Sequence, residues 1–196
     1  MYRFIESICC KNGRPQLLKL HQQRLKRTFQ TYFSDSMPHD LRHIFEHVSS
    51  DTKYKCRVEY DATNIDIDFI PYINPRVNSL QVIVDDEINY DFKSADRSGL
   101  TDLFNRRKEA DDIMIIKNGR ITDSYFANLA FYDGIDWWTP KFPLLNGVKR
   151  QNLLDTGSIK EKDVFVDELG DFQTISLINA MNDLGDLTVS TSDVMV

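Results

Sequence analysis

Lys93 is the residue whose type and setting point most directly to chemistry. It lies in the segment F-K-S-A-D-R (92–97), directly before a stretch that favours a helix. A lysine amine bonds to carbonyl carbons as a Schiff base when burial or a neighbouring charge lowers its pKa. Taken alone, a lysine before a helix is usually a solvated charge, so its role depends on the segments around it.

A metal site is not expected, although three histidines have suggestive spacing. His39, His43 and His47 recur at every fourth position, so a helix would align them on one stripe. The third would lie about 12 Å along the helix axis from the first, which is too far for one shared ion. The three cysteines of the chain are too few and too irregularly spaced for a thiolate site or a disulfide framework. We therefore predict no metal and a solvated polar face.

The elements that would position these residues follow from the spacing of apolar side chains, which changes along the chain. The first half favours a strand over 2–10, a return strand over 15–20, helices over 21–33 and from about 36 to 48, and a hairpin of 56–60 and 65–70. The second half favours strands over 80–84, 112–116, 124–132, 137–140 and 164–166, and helices over 98–110, 148–155 and 171–184. This pattern predicts an α+β protein of two lobes, residues 1–88 and 89–196.

Composition excludes several functions. The chain has 196 residues, and its formal charge of 24 − 30 = −6 provides no basic field for nucleic acid or an anionic membrane. No run approaches the roughly 18 apolar residues of a membrane span, and the N-terminus lacks a signal-peptide pattern. We expect a cytoplasmic protein that acts on a small molecule.

Four ordered segments resemble the class IV aminotransferases, the fold-type-IV enzymes that use pyridoxal 5′-phosphate (PLP). They are H-Q-Q-R-L (21–25), the lysine segment 92–97, G-R-I-T-D-S-Y-F-A-N-L-A-F (119–131) and L-L-N-G-V-K-R (144–150). The resemblance extends from F-I-E-S-I (4–8) to I-N-A-M (178–181). It implies a two-lobed fold like that of D-amino-acid aminotransferase, PLP as the cofactor in a cleft between the two lobes, and a homodimer.

The resemblance also implies catalytic roles. Lys93 matches the family's Schiff-base lysine, which later moves protons on the substrate carbon. Asp123 stands where the family has a glutamate that keeps the pyridine nitrogen of PLP protonated. The aspartate is one methylene shorter, so the ring or the strand must shift if it does the same work. Arg97 is a candidate contact for the substrate carboxylate.

The phosphate of PLP requires guanidinium and backbone N–H donors. Arg24 matches the family's phosphate-binding arginine, and Gly147 and Val148 match the glycine turn whose amides cap the phosphate. Asn179 falls where aminotransferases often have a phosphate-contacting threonine. Asn128 matches a family asparagine, for which we expect a structural role.

The sequence also departs from the family pattern. The F-I-E-S stretch stands almost at the start, so the segment that usually precedes it, and lines part of the substrate side, is expected to be absent. The aminotransferase tyrosine five residues after the lysine is replaced by Ser98.

Three functions remain open. The spacing of Lys93 and Arg97, and the I-N-A-M stretch, resemble 4-amino-4-deoxychorismate lyase, which expels pyruvate to give 4-aminobenzoate. An amino-acid transaminase of the branched-chain or D-amino-acid type would use the same lysine. A pseudoenzyme that keeps the fold, with or without bound PLP, is the alternative outside catalysis.

Overall fold

The computed structural model describes residues 2–45 and 52–196 and divides the chain into two compact units. The first comprises Met1–Ile73 and Phe92–Asp96, and the second comprises Asn74–Asp91 and Arg97–Val196. No helix among the described residues is long and apolar enough to cross a membrane.

The first unit is an antiparallel sheet with one long helix. Its elements are β1 (Phe4–Lys11), β2 (Arg14–Pro15), α1 (Leu18–Tyr32), β3 (Tyr54–Tyr60) and β4 (Ile65–Pro71). The strand order is β2-β1-β3-β4. Leu25 and Phe29 of α1 pack with Ile8 of β1 and Val58 of β3 in an apolar core.

The turn between β1 and β2 has the geometry that its sequence predicts. Asn12 and Gly13 both have positive φ, at 53° and 67°. Asn-Gly is the pair that best tolerates this conformation in a two-residue hairpin turn. The return strand is much shorter than the predicted 15–20, because Leu17 adopts a left-handed conformation (φ 55°) and α1 begins at Leu18.

The predicted helix that carries the histidines is wrong in the part that the structure describes. Only a 3₁₀ segment, Leu41–Phe45, forms there, and His47 lies outside the described residues. His39 precedes that segment, and its Nε2 lies 3.1 Å from the carbonyl oxygen of Asp61. The described histidines therefore do not share one helical face.

The second unit contains a larger sheet with two short helices. Its elements are β5 (Leu80–Val84), α2 (Ser98–Phe104), β6 (Asp112–Lys117), β7 (Arg120–Ser124), β8 (Asn128–Tyr132), β9 (Trp137–Pro140), α3 (Val148–Asp155), β10 (Lys160–Lys162), β11 (Thr174–Ile178), β12 (Thr188–Ser190) and β13 (Val194–Met195). The order β10-β9-β8-β7-β6-β5-β13 is extended by β11, which pairs with β8 and β12. Leu129, Phe131 and Leu177 lie in its apolar core.

Three predicted elements of this unit take another form. The predicted strand 164–166 is not a strand, and a 3₁₀ segment begins at Val166. The predicted strand 124–132 is interrupted by a tight turn, since Ser124 N–H donates to the carbonyl of Ala127 at 2.8 Å. The predicted helix 171–184 is wrong, because Thr174–Ile178 forms β11 between β8 and β12. Four of its five residues are buried, so the run lacks the alternation that distinguishes a half-exposed strand.

The two units do not divide at residue 88. β5 belongs with the second unit because it pairs in parallel with β6. Phe92–Asp96 belongs with the first unit, where Ile5 N–H donates to the carbonyl oxygen of Lys93 at 2.9 Å. Lys93, expected in the C-terminal lobe, is therefore held by a backbone hydrogen bond to β1.

Candidate active site

The first unit contains a buried charged cluster made by Glu6, His21 and Arg24. Glu6 lies on β1, and the other two lie three residues apart on one face of α1. Arg24 donates to Glu6 from Nε to Oε1 at 2.8 Å and from Nη2 to Oε2 at 2.5 Å. His21 Nδ1 lies 2.5 Å from Glu6 Oε2. A bidentate pair of this kind fixes the plane of the guanidinium.

The charges in this cluster follow from burial and pairing. Burial by itself raises the pKa of Glu6, but the charge and hydrogen bonds of Arg24, with the hydrogen bond of His21, lower it to about 2. Burial lowers the pKa of His21 despite its bond to Glu6. We conclude that His21 is a neutral imidazole that donates from Nδ1 to a carboxylate.

Lys93 lies in the same unit and is half-buried. Its carbonyl is fixed by β1, and its positive charge is one of the causes that lower the pKa of His21. Two of the predicted site residues, Arg24 and Lys93, therefore belong to one unit. His21 is an additional member of this charged cluster. It lies in the motif H-Q-Q-R-L, but the sequence alone did not assign it a role.

The second unit contains a different buried carboxylate, Asp123 on β7. Its Oδ1 accepts from Asn128 Nδ2 at 2.8 Å, and its Oδ2 accepts from the backbone N–H of Leu145 at 2.9 Å. Asn128 lies opposite Asp123 in the register of β7 and β8. No side-chain ammonium or guanidinium in the described part of the chain bonds to this carboxylate.

The absence of a cationic partner changes the titration of Asp123. Burial raises its pKa to about 6, and the hydrogen bonds of Leu145 and Asn128 and the charge of Arg150 only partly offset this. A buried carboxylate in this state would gain free energy from a cationic N–H donor. A protonated pyridine nitrogen would be a donor of this kind.

The glycine turn predicted for phosphate binding lies at the start of α3. Gly147 is the residue that caps the helix, and its carbonyl accepts from Gln151 N–H at 2.9 Å. Val148 is buried at the first helical position. Backbone N–H groups at such a start have no partner within the helix and are suited to an anion.

Arg97 is held by Tyr125. Its Nη2 donates to the Tyr125 carbonyl at 2.5 Å, and its guanidinium carbon lies 4.4 Å from the centroid of the Tyr125 ring. Phe104 stacks against Tyr125 at 4.4 Å between ring centroids. The guanidinium of Arg97 is therefore oriented by contacts that the sequence did not predict.

Asn179 and Asp112 both have contacts that the sequence did not predict. Asn179 Oδ1 accepts from the N–H groups of Met181 and Asn182 at 2.8 and 3.0 Å, so this side chain stabilises the turn after β11. Asp112, at the start of β6, is buried, and burial raises its pKa to about 6. Apart from the apolar run that follows Asp112, no sequence pattern predicts this burial.

Comparison with known proteins agrees with the fold and the motifs. Residues 93–187 match the model of the family amino-transferase class IV. An uncharacterized protein of Haemophilus influenzae is 36% identical over 189 residues, which cover 94% of this chain and 100% of that protein. The chain belongs to the class IV aminotransferase family, whose enzymes are PLP-dependent aminotransferases and lyases.

Solved structures agree with this assignment. A candidate 4-amino-4-deoxychorismate lyase of Haemophilus somnus 129PT is 30% identical, with a TM-score of 0.87 over 94% of this chain and 98% of that chain. A hypothetical aminotransferase of Mycobacterium tuberculosis, in its PLP-bound form, has a TM-score of 0.77 over 98% of this chain and 81% of that chain. Its 17% identity shows a shared fold only.

Proposed function

We propose that this protein is a PLP-dependent enzyme that eliminates pyruvate from 4-amino-4-deoxychorismate to give 4-aminobenzoate. The observation that carries the proposal is Asp123, a buried carboxylate whose two protein donors are both neutral. Such a group fits a cofactor that presents a protonated ring nitrogen. When bound, PLP supplies an electron sink for negative charge at the substrate's α-carbon.

Each further residue has a proposed role in this reaction. Lys93 would attach the cofactor, and its Nζ would take the α-proton from the substrate and deliver it when the leaving group departs. Arg24 and the Gly147-Val148 turn would bind the phosphate, with Asn179 as a further contact. Arg97 would contact the substrate carboxylate, and Tyr125 keeps that guanidinium oriented.

The choice of lyase over transaminase rests on two observations. One is the 30% identity to the candidate lyase of Haemophilus somnus 129PT. The other is the lyase-like spacing of Lys93 and Arg97. By family resemblance we also propose a homodimer that acts in the cytoplasm on a small amino substrate.

The test is a spectrum of the purified protein with PLP, followed by product analysis. We expect an absorbance band that borohydride bleaches, an adduct located on Lys93 by mass spectrometry, and its loss in Lys93→Ala. Adduct on Lys117 or Lys149 would overturn the assignment. Aminodeoxychorismate should release pyruvate; a 2-oxo acid formed only with amino donors would indicate a transaminase, and protein that retains no reducible cofactor would indicate a pseudoenzyme.

Asp123→Asn tests the carboxylate directly. The variant should retain PLP but lose about a hundredfold or more in turnover, since one preorganised electrostatic contact contributes roughly 3 kcal/mol in a transition state. Asp61→Asn is the control, because Asp61 is also a buried carboxylate and its Oδ1 accepts from the backbone N–H groups of Thr63 and Asn64 in a turn of the first unit. Turnover of the control should stay within a few-fold of the wild-type value.

A further inference from the structure

The backbone of Leu145 is held on both sides by two side chains. Its N–H donates to Asp123 Oδ2 at 2.9 Å, and its carbonyl accepts from Asn128 Nδ2 at 2.8 Å. Asn128 Nδ2 also donates to Asp123 Oδ1 at 2.8 Å. The two donor hydrogens of one amide group thus join Asp123 to the loop that leads into α3.

The same amide limits what can stand at position 147. A Cβ built on Gly147 would lie 2.0 Å from Asn128 Oδ1 and 3.2 Å from its Cγ, and these side-chain atoms are its nearest neighbours. The backbone of Gly147 does not itself require glycine, since φ −71° and ψ 144° are open to any residue. The glycine is therefore required by the close approach of Asn128.

We propose that Asn128 is a positioning residue that joins Asp123, Leu145 and Gly147 into one rigid bracket. β7 and β8 supply the two side chains, and the start of α3 is the part that they hold. The bracket rests on contacts within the second unit alone.

A consequence of the bracket rests on the proposed function. Asp123 is the proposed partner of the ring nitrogen, and Gly147-Val148 is the proposed phosphate turn. The pyridine ring of PLP is planar and rigid, and its phosphate is joined to the ring by a short methylene–oxygen arm. The protein groups that bind the ring nitrogen and the phosphate must therefore lie within a narrow range of spacings. A preformed bracket would supply that spacing before the cofactor binds and so reduce the ordering that binding requires.

A double-mutant cycle in the cofactor-free protein tests the bracket. Gly147→Ala alone should raise the unfolding equilibrium constant strongly, because its methyl group overlaps the Asn128 amide. In an Asn128→Ala background the same change should raise it at least about tenfold less, a coupling of about 1.4 kcal/mol. Equal effects in both backgrounds would overturn the proposal. If Asn128→Ala does not fold, Asn128→Ser replaces it in the double-mutant cycle, because the serine side chain is also shorter than that of asparagine.

Two further measurements separate positioning from a general loss of packing. Asn128→Ala should raise the pKa of Asp123, which carboxyl NMR measures. The hydrogen bond that this change removes favours the charged form of Asp123. It should also weaken PLP binding about tenfold to a hundredfold, the scale of hydrogen bonds to charged groups. An unchanged pKa of Asp123 would overturn the positioning role.

Thr122→Val is the matched control. Thr122 is buried on the same strand, and its Oγ1 donates to the Ile115 carbonyl at 2.9 Å, away from Asp123. It should change stability without changing the Asp123 pKa or PLP affinity. If the wild-type protein binds no PLP, the proposed function fails while the cycle still decides whether the bracket exists.

Discussion

Glu6 in the first unit and Asp123 in the second are both buried carboxylates, and their pKa values are shifted in opposite directions. Glu6 is 0% exposed and its pKa is lowered to about 2. Asp123 is 6% exposed and its pKa is raised to about 6. Burial by itself raises the pKa of both carboxylates, so the opposite net shifts come from their hydrogen-bond and charge partners. Arg24 gives Glu6 a cation, whereas Asn128 and Leu145 give Asp123 only neutral donors.

This difference indicates which carboxylate has unmet binding capacity. Glu6 is neutralised within its own unit, so its work is to orient Arg24 and His21. Of these two carboxylates, Asp123 would gain more from a cationic ligand group. Burial with neutral donors does not by itself mark a cofactor site, because Asp112 has the same properties. At Asp123 these properties coincide with the position at which the family motif has its ring-binding acid.

The largest expected effect is on the stability of the first unit. Glu6→Gln would leave Arg24 buried without its counter-charge, and we expect a loss of about 3–5 kcal/mol in the free energy of unfolding at pH 7, measured with urea. Asp40→Asn is the control, since the Asp40–Arg42 pair is exposed at Arg42 and its loss should lower the free energy of unfolding far less. Similar losses in both variants would show that the Glu6 cluster contributes no more to the free energy of unfolding than an exposed ion pair.

The pH dependence of this loss has a definite sign. The pKa of Glu6 is lower in the folded state than its ordinary value, so its stabilisation is present above about pH 4.5 and lost as the pH falls toward 2. The difference between wild type and Glu6→Gln should therefore shrink between pH 5 and pH 2. A constant difference over that range would contradict the pairing.

A smaller effect is expected at Asp123. Its carboxyl should titrate near pH 6 without cofactor, so its contribution favours folding below about pH 4 and is lost as the pH rises through 6. PLP should lower this pKa by at least about one unit, or roughly 1.4 kcal/mol, because a cationic ring nitrogen favours the charged form. Carboxyl NMR with and without PLP measures it, and Asp112 is the internal control that should not move. A pKa unchanged by bound PLP would remove Asp123 as the ring partner.

The smallest effect concerns a single proton. His21 should remain neutral, with its hydrogen on Nδ1, because burial lowers its pKa and Glu6 accepts from Nδ1. Nitrogen NMR of the imidazole at pH 6 distinguishes the tautomers. In Glu6→Gln the Nδ1–H preference should weaken. A doubly protonated ring at pH 6 in the wild type would show that the cluster carries an additional positive charge.

Some of the fold was predictable because it depends on local residue chemistry. The Asn12-Gly13 and Asn118-Gly119 turns both have positive φ at both positions, as that pair of residues favours. α3 has its predicted bounds, Val148–Asp155. β11 was not predictable in the same way, because it is a strand by virtue of its pairing with β8 and β12.

The candidate site divides along the same line. The residue types and order of the motifs were enough to predict the family, whereas the roles of Lys93, Asp123, Arg24 and Gly147 stay predictions. The pairing of Glu6 with Arg24, the contact of Asn128 with Gly147 and the two opposite pKa shifts required long-range packing. The hydrogen-bond partners Glu6 and Arg24 are 18 positions apart in the chain, and Asp123 and Leu145 are 22 apart, so no local pattern specifies these pairs. The amino-acid order determines which groups are available for chemistry, and only the folded arrangement decides which of them are already neutralised.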